Sequence, residues 1–269
     1  MDFAKFGFIG TGNMGSALAR TVVSVIGGQN VILSDKTTIK AEALAEELNC
    51  DSAEISEVAL TAKYIFLGVK PQVLPDLLAA IKPYLQKRAD RFILVSMAAG
   101  VKMDTIIETL DEKYPIIRIM PNTPVSVGKG MILYTYSGNI SVEELDEFKN
   151  ALSLSGKLDK INEGLIDAAT AVSGSGPAFA CMFAEAIADA GVEAGLTREK
   201  ALLYAAQMLS GTAELILSGD KNPADLKNDV CSPGGSTIAG VHALEAGRFR
   251  GTVMNAVKAT FDRTRELGK

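Results

Sequence analysis

The sequence is poor in the side chains that most often carry enzyme chemistry. Its 269 residues include three cysteines, one histidine and no tryptophan. Cys50, Cys181 and Cys231 lie far apart and form no CxxC pair, so we expect neither a disulfide framework nor a zinc site. His242 is the single imidazole available to a serine or cysteine nucleophile. Because a lone histidine among helical apolar positions is usually a packed or surface residue, we expect chemistry without a histidine base.

Positive charge and long apolar runs are also scarce. The chain has 27 Lys and Arg against 32 Asp and Glu, a net charge of −5, and no basic block, which argues against a nucleic-acid partner. Residues 1–5 are too few and too acidic for a signal peptide. No run of about 18 uncharged apolar residues predicts a membrane span. From these absences we expect a cytoplasmic protein. The 48 % hydrophobic content predicts a sizeable core, and the length of 269 residues predicts about two domains.

A glycine-rich motif follows the first apolar run, at residues 5–9, and precedes an amphipathic helix. In this strand–GxGxxG–helix context the first glycine permits a tight turn and the second lets a pyrophosphate approach the backbone. The third allows the helix to pack closely on the strand. We therefore predict a dinucleotide site at Gly10, Thr11, Gly12, Asn13, Met14 and Gly15.

The end of the second predicted strand, at residues 31–36, bears on the choice of dinucleotide. Asp35 follows Gly15 by 20 residues, where an acid accepts a hydrogen bond from the ribose 2′-OH and favours NAD. Ser34 and Lys36 instead suit a 2′-phosphate and favour NADP. The sequence keeps both cofactors, NADH and NADPH, as candidates.

Apolar runs and helical patterns alternate through the rest of the first half. Further strands are predicted at residues 64–69, 92–96, 116–120 and 131–136, with an edge strand at 157–161. Helices are predicted at residues 38–48, 73–85, 105–110 and 142–152. This alternation predicts an α/β fold, a Rossmann-type doubly wound sheet, whose ligands lie beyond the carboxyl ends of the strands. The loops there add five candidate cofactor contacts, namely Val69, Lys70, Pro71, Ala98 and Asn122.

After residue 162 the pattern is helical only, so we predict a dinucleotide-binding domain at 1–162 and an all-helical domain at 163–269. Predicted helices cover 163–171, 178–194, 197–217 and 248–267, with a short one after Asn222-Pro223. The segment 173–177 separates the first two, with Ser175 as the cap of the second. Helices this apolar on several faces must be buried in a larger core or an interface, so we expect at least a homodimer.

The stretch 229–237 is more elaborate than a turn between two helices requires. Pro233 fixes φ, Gly234 and Gly235 tolerate positive φ, and Thr237 starts the next helical pattern as an N-cap would. Free backbone N–H groups at a helix start form an anion site. The plainer alternative is a helical hairpin that uses proline and glycine as punctuation.

Five motifs, in this order, resemble pyrroline-5-carboxylate reductase, the family that makes L-proline. They are GFIGxGxMG at residues 7–15, VKP at 69–71, RxMPNTP at 118–124, SGSGPA at 173–178 and SPGGxTI at 232–238. The resemblance covers essentially the whole chain, and its last two motifs together are specific. It implies a Rossmann domain followed by a helical domain that dimerises, with dimers often forming a decameric ring.

The resemblance also implies the reaction, hydride transfer from NAD(P)H to the C=N carbon of 1-pyrroline-5-carboxylate. It implies that Thr237 hydrogen-bonds the ring nitrogen, that Glu163 faces the substrate, and that Ser175 and Gly176 lie at the pocket wall. The substrate carboxylate would bind at Ser232, Gly234, Gly235, Ser236 and Thr237. The chain departs from its relatives at Ile55 and Asp229, where some have asparagine.

The residues fit this chemistry independently, because a cyclic imine can be protonated before hydride arrives and needs little further acid catalysis. One alternative is a 3-hydroxyacid dehydrogenase of similar build, which needs a group to manage the hydroxyl proton. Such enzymes carry a lysine on the helix after the interdomain glycine motif, whereas residues 177–183 contain none. The other alternative is a non-catalytic dinucleotide sensor, which has no use for the segment 232–237.

Overall fold

The computed structural model describes residues 6–267 and divides into two compact units. The first comprises the described residues up to Ser175 together with those from Thr260 onward, and the second is Gly176–Ala259. The segment 1–5, including the first residue of the first predicted strand, lies outside the described range.

An eight-stranded sheet forms the centre of the first unit, in the order β3-β2-β1-β4-β5-β6-β7-β8. All neighbours pair in parallel except β6 and β7, which are antiparallel. The strands are β1 Phe6–Ile9, β2 Val31–Ser34, β3 Asp51–Ser52, β4 Tyr64–Leu67, β5 Ile93–Ser96, β6 Ile116–Met120, β7 Gly130–Tyr136 and β8 Gly156–Lys160.

Helices cover both faces of this sheet, because successive side chains of its buried strands point to opposite sides. Phe8 and Phe66 stack on one face, with ring centroids 4.4 Å apart. Ile65 and Leu67 belong to the core of the other face. The helices are α1 Asn13–Ile26, α2 Thr38–Leu48, α3 Ile55–Thr61, α4 Leu74–Leu85, α5 Met103–Leu110 and α6 Val142–Ala151. The predicted doubly wound fold is confirmed.

Two elements of this unit, β3 and α3, were not predicted from the sequence. β3 is two exposed residues long and has no apolar run to signal it. α3 spans seven residues and buries only Val58 and Ala59, too few to show a helical period. It nevertheless matters to the site, because its first residue, Ile55, lines a cavity described below.

The first unit extends beyond the predicted boundary after residue 162. Arg118 on β6 is ion-paired with Glu163 and Asp167, and Ile166 is fully buried in a small apolar cluster. These contacts attach residues 163–174 to the sheet. The boundary between the two units, after Ser175, therefore comes later in the chain than the change in sequence pattern after residue 162.

The predicted break at 173–177 is wrong, because the helical chain runs without a stop from Glu163 to Glu193. It passes through α7 (Ile166–Ala169) and a π-helical turn (Thr170–Gly174) into α8 (Gly176–Glu193). Pro177 has no N–H for the carbonyl four residues earlier, that of Ser173. The side chain of Asn122 supplies the missing donor, with Nδ2 2.9 Å from the Ser173 oxygen. Ser175 therefore lies inside the helical run and is not its cap.

The second unit is entirely helical in its described residues. It contains α8, α9 (Arg198–Ser218), α10 (Pro223–Asp229), α11 (Ser236–Ala246) and the larger part of α12 (Phe249–Leu267). The predicted caps at Thr197 and Asn222 are confirmed, since their side chains accept backbone N–H groups of α9 and α10.

Large apolar side chains of this unit lie on its surface, among them Met182, Leu203 and Leu215, which are 68 %, 61 % and 57 % exposed. By length and composition alone, the helices Glu163–Glu193 and Arg198–Ser218 are also candidate membrane spans. Only 11 % of the residues in the most apolar stretch of each helix are buried, and monomeric soluble proteins rarely expose apolar surface of this extent. The expectation that no segment spans a membrane stays a prediction.

Arg88 offers a test of how α3 is held. Its side chain is 2 % exposed and donates to the carbonyls of Ala59 and Ala62, at 3.0 and 2.7 Å, at the C-terminal end of α3. The guanidinium also lies over Phe92, 4.5 Å from the ring centroid. Arg88→Met would leave these carbonyls without their donor, so we expect a loss of about 2–3 kcal/mol in unfolding free energy, measured by urea titration.

Arg20→Met is the matched control, because the Arg20–Glu47 ion pair is solvent-exposed. We expect it to cost about 0.5 kcal/mol or less. Equal losses in the two variants would show that Arg88 acts as an ordinary surface charge.

Candidate active site

Two glycine backbones meet where the strand order reverses, between β1 and β4. Gly10 has φ +103°, and a Cβ on it would lie 2.5 Å from the carbonyl oxygen of Gly68. Gly68 N–H donates to Ile9 O and Gly10 N–H donates to Ser34 O, both at 2.8 Å. The end of β1 is thus bonded to both neighbouring strands, at the position where open α/β sheets bind ligands.

The turn into α1 leaves its helix N-terminus open. Gly12 is the N-cap and provides no side-chain hydrogen bond, and a Cβ added to it would meet nothing within 4 Å. Gly15 is the opposite case, since its Cβ would strike the carbonyl oxygen of Gly10. Gly10 and Gly15 thus have the predicted geometry, and the uncapped N–H groups of α1 suit a pyrophosphate, whose approach at Gly12 stays a prediction.

Two adjoining cavities, of about 500 and 540 Å³, form a groove along this edge of the sheet. They share Gly12, Gly68, Val69 and Lys70. One extends to the end of β2 and the other to the ends of β5 and β6, as an extended dinucleotide requires. Nine predicted cofactor residues line the groove: Gly10, Gly12, Asn13, Met14, Ser34, Asp35, Lys36, Val69 and Lys70.

The other five predicted cofactor residues, which do not line either cavity, are Thr11, Gly15, Pro71, Ala98 and Asn122. Thr11 and Gly15 shape the turn, and Ala98 is 1 % exposed within the core. The Asn122 amide is used inside the first unit, because Oδ1 accepts from Met131 N–H at 2.8 Å while Nδ2 binds the Ser173 carbonyl. Their contacts with cofactor stay predictions.

Several lining residues were missed by sequence reasoning. Met97 and Pro121, at the β5 and β6 end of the groove, adjoin the predicted Ala98 and Asn122, and Met120 lies two residues before Asn122. The loops were therefore found, and the error is one or two residues in position. Ile9 and Gly68 line the groove at the ends of β1 and β4. At the β2 end the missed residues are Thr38, Glu54, Val73, Asp76 and Leu77, which come from helices and helix starts that carry no motif, together with the departure residue Ile55.

Asp35 is fixed by the fold rather than free at the groove. Its Oδ2 accepts from Thr11 N–H at 2.7 Å and from the Thr11 hydroxyl at 3.0 Å, and its Oδ1 accepts from Thr37 N–H at 2.9 Å. Burial pulls the pKa of Asp35 upward, but these hydrogen bonds outweigh it, and the pKa lies below its ordinary value. A negative charge is thus held at the β2 end of the groove.

Glu163 is tied to the sheet by a residue that sequence reasoning did not single out. Its Oε1 accepts from Arg118 Nη1 at 3.1 Å and from Met103 N–H at 2.8 Å. Arg118 belongs to the RxMPNTP motif and precedes Glu163 by 45 residues in the sequence. Its role becomes visible only because the fold brings the two side chains together. The position of Glu163 relative to a substrate stays a prediction.

The second unit contains the glycine-rich loop. Gly235 N–H donates to Ser232 O at 3.0 Å and Gly234 has φ +69°, the geometry of a turn with proline second and glycine third. Gly235, without a side chain, is the N-cap of α11. The prediction that Thr237 is the N-cap is therefore wrong, because the turn ends two residues earlier and places Thr237 in the first helical turn.

This correction changes what the loop offers chemically. A glycine cap leaves the N–H groups of the first turn of α11 open, as at α1. The Thr237 hydroxyl does not cap the helix and, within residues 6–267, forms no hydrogen bond. His242 is exposed on α11, and the described residues contain no cluster of three or more metal-ligating side chains.

Comparison with known proteins gives matches in both parts of the chain. Residues 163–267 match a family model for pyrroline-5-carboxylate reductase dimerisation. Residues 5–100 match a model for NADP oxidoreductase, coenzyme F420-dependent.

Relatives match over nearly the full length. Pyrroline-5-carboxylate reductase of Pisum sativum is 37 % identical over 99 % of this chain and 97 % of its own. That of Aquifex aeolicus is 35 % identical over 98 % and 97 %. A Plasmodium falciparum pyrroline carboxylate reductase structure with NADP bound superposes with a TM-score of 0.89 at 31 % identity, covering all of both chains. With both of its units and its whole length matched, this chain belongs to the pyrroline-5-carboxylate reductase family.

Proposed function

We propose that the chain reduces the C=N bond of 1-pyrroline-5-carboxylate to give L-proline, with NADH or NADPH, as the last step of proline biosynthesis. The observation that carries this is the 37 % identity to a reductase of that name over 99 % of the chain. The geometry supports it, because each unit provides a helix N-terminus capped only by glycine, suited to the pyrophosphate in one and to a carboxylate in the other.

The groove of the first unit fits a dinucleotide. Gly12 and the N-terminus of α1 would hold the pyrophosphate, the end of β2 the adenosine ribose, and the Met97 and Pro121 end the nicotinamide. The bound cofactor supplies the hydride. The chain's own contribution is to hold the ring in one orientation and to keep water from the site.

The loop of the second unit would bind the substrate. The N–H groups at the start of α11, with Ser232, Gly234, Gly235 and Ser236, would hold the substrate carboxylate. Thr237, freed from capping, would donate a hydrogen bond from its hydroxyl to the electron pair that develops on the ring nitrogen as hydride adds to the carbon. Orientation and electrostatics then suffice, which agrees with a chain whose one histidine is exposed.

We also propose that NADH is the preferred cofactor. The Asp35 carboxylate is held by three hydrogen bonds and has a lowered pKa, so it is a fixed anion at the ribose end of the groove. A ribose 2′-OH donates to such a group, whereas a 2′-phosphate is repelled by it. Lys36 is exposed at the same end, and its positive charge reduces the preference for NADH over NADPH.

The exposed apolar helices of the second unit support a homodimer. We propose that a second copy of this chain covers them, in agreement with the dimerisation model that matches these residues. A partner copy on these faces leaves no apolar surface for a membrane to cover, and we infer a cytoplasmic protein. We infer further that the dimers assemble into the decameric ring that the family resemblance implies.

The reaction and the role of Thr237 are tested together. Purified protein with 1-pyrroline-5-carboxylate should oxidise NADH or NADPH, followed at the nicotinamide absorbance. Thr237→Val removes the hydroxyl at constant shape, and we expect kcat/KM for the imine to fall about 10- to 100-fold. Thr237→Ser keeps the hydroxyl and should stay within a few-fold of wild type. No turnover with either cofactor contradicts the function, and an unaffected Thr237→Val removes Thr237 from the mechanism.

Cofactor preference is tested by Asp35→Asn, which removes the charge. Wild type should have the higher kcat/KM with NADH, and the variant should lose about tenfold or more of that preference, because a 2′-phosphate no longer meets an anion. Asp76→Asn is the control, since Asp76 lines the same cavity from α4. A wild-type preference for NADPH, or equal shifts in both variants, contradicts the assignment.

The assembly is tested by sedimentation. At micromolar concentration and without detergent, we expect a dimer or a larger particle that stays in the supernatant after membranes are pelleted. Leu203→Glu should shift it toward smaller species, whereas Ile39→Glu, 74 % exposed in the first unit, should not. A stable wild-type monomer, or a requirement for detergent, would overturn the proposal.

A further inference from the structure

Arg118 is a buried cation held between two carboxylates. Its side chain is 1 % exposed and lies on β6, between Ser96 of β5 and Thr135 of β7. Nη1 donates to Glu163 at 3.1 Å and Nη2 donates to Asp167 at 3.2 Å. A guanidinium this deeply buried requires such partners, because its desolvation is costly.

The two carboxylates look alike but are bonded differently. Glu163 and Asp167 lie one helical turn apart, with side chains 22 % and 21 % exposed. Glu163 has a second donor, Met103 N–H, which binds the same Oε1 as the guanidinium. One oxygen of Glu163 is thus bound by two donors, whereas within the described residues Oε2 forms no hydrogen bond.

We propose that Arg118 is a positioning residue for the reduction. Together with Met103 N–H, it holds Glu163 by Oε1 so that Oε2 accepts the N–H of the protonated cyclic imine. Asp167 completes the charge balance of the guanidinium and has no part in the reaction. This inference rests on the proposed function.

The chemistry gives such a carboxylate a clear task. The imine nitrogen carries its proton before hydride arrives, and Glu163 stabilises that cation. Hydride then adds to the carbon of the C=N bond, and the π electrons move to the nitrogen, which keeps its proton as the amine N–H. No further acid or oxidant is required. Because the Arg118 guanidinium is permanently charged, it stays a hydrogen-bond donor to Glu163 throughout the reaction.

A comparison of Glu163→Gln with Asp167→Asn separates this role from simple anchoring. Each variant removes one negative charge from beside the same guanidinium. The two carboxylate side chains are about equally exposed and lie one helical turn apart. A purely structural triad predicts equal losses. We expect Glu163→Gln to lower kcat/KM for the imine about 100-fold and Asp167→Asn about threefold, with similar melting temperatures and KM for cofactor unchanged in both.

Arg118→Lys and Arg118→Met complete the experiment. Lysine keeps the positive charge but lacks the two-pronged guanidinium that bonds both carboxylates, so Arg118→Lys should retain more kcat/KM for the imine than Arg118→Met. The Lys variant remains informative if the Met variant fails to fold. The inference is wrong, while the proposed function stands, if Asp167→Asn lowers activity as much as Glu163→Gln does. It is also wrong if both Arg118 variants are as active as wild type. A wild type that does not turn over the imine overturns both.

Discussion

The contact between the backbones of Gly10 and Gly68 is the constraint on which the nucleotide-binding unit depends. It brings the ends of β1 and β4 closer than any side chain would permit, and Gly15 then lets α1 descend directly onto that turn. The groove opens on either side of this point, so its two halves share Gly12, Gly68, Val69 and Lys70. A methyl group at Gly10 would force the strands apart at the centre of this groove.

A second theme is the choice of helix caps. The helices α6, α9 and α10 are capped by Ser141, Thr197 and Asn222, whose side chains accept backbone N–H groups of the first turn. The helices α1 and α11 are capped by Gly12 and Gly235, which leave those groups open. Glycine in place of a capping side chain costs a helix only a few tenths of a kcal/mol, so α1 and α11 keep their first N–H groups open for an anion at little loss of stability.

Much of the fold could be predicted because its signals are local. Buried strands such as Tyr64–Leu67 are continuous apolar runs, and the spacing of Gly10, Gly12 and Gly15 carries its own structural reason. What could not be predicted depends on partners distant in sequence. The helical run through Pro177 persists because Asn122 bonds the carbonyl of Ser173, and nothing near Pro177 signals that. Arg118 reads as an ordinary strand residue until Glu163 and Asp167 are folded against it. Thr237 was misjudged as a cap because threonine favours that position, whereas the turn geometry assigns the cap to Gly235.

The central claim is that this chain transfers a hydride from a nicotinamide ring to the carbon of a cyclic imine. It is tested most directly by supplying NADH that carries deuterium at the transferable position, together with 1-pyrroline-5-carboxylate, and analysing the product by mass spectrometry and NMR. The account predicts L-proline with one deuterium on the carbon of the former C=N bond. Oxidation of the cofactor without deuterium at that carbon would contradict it.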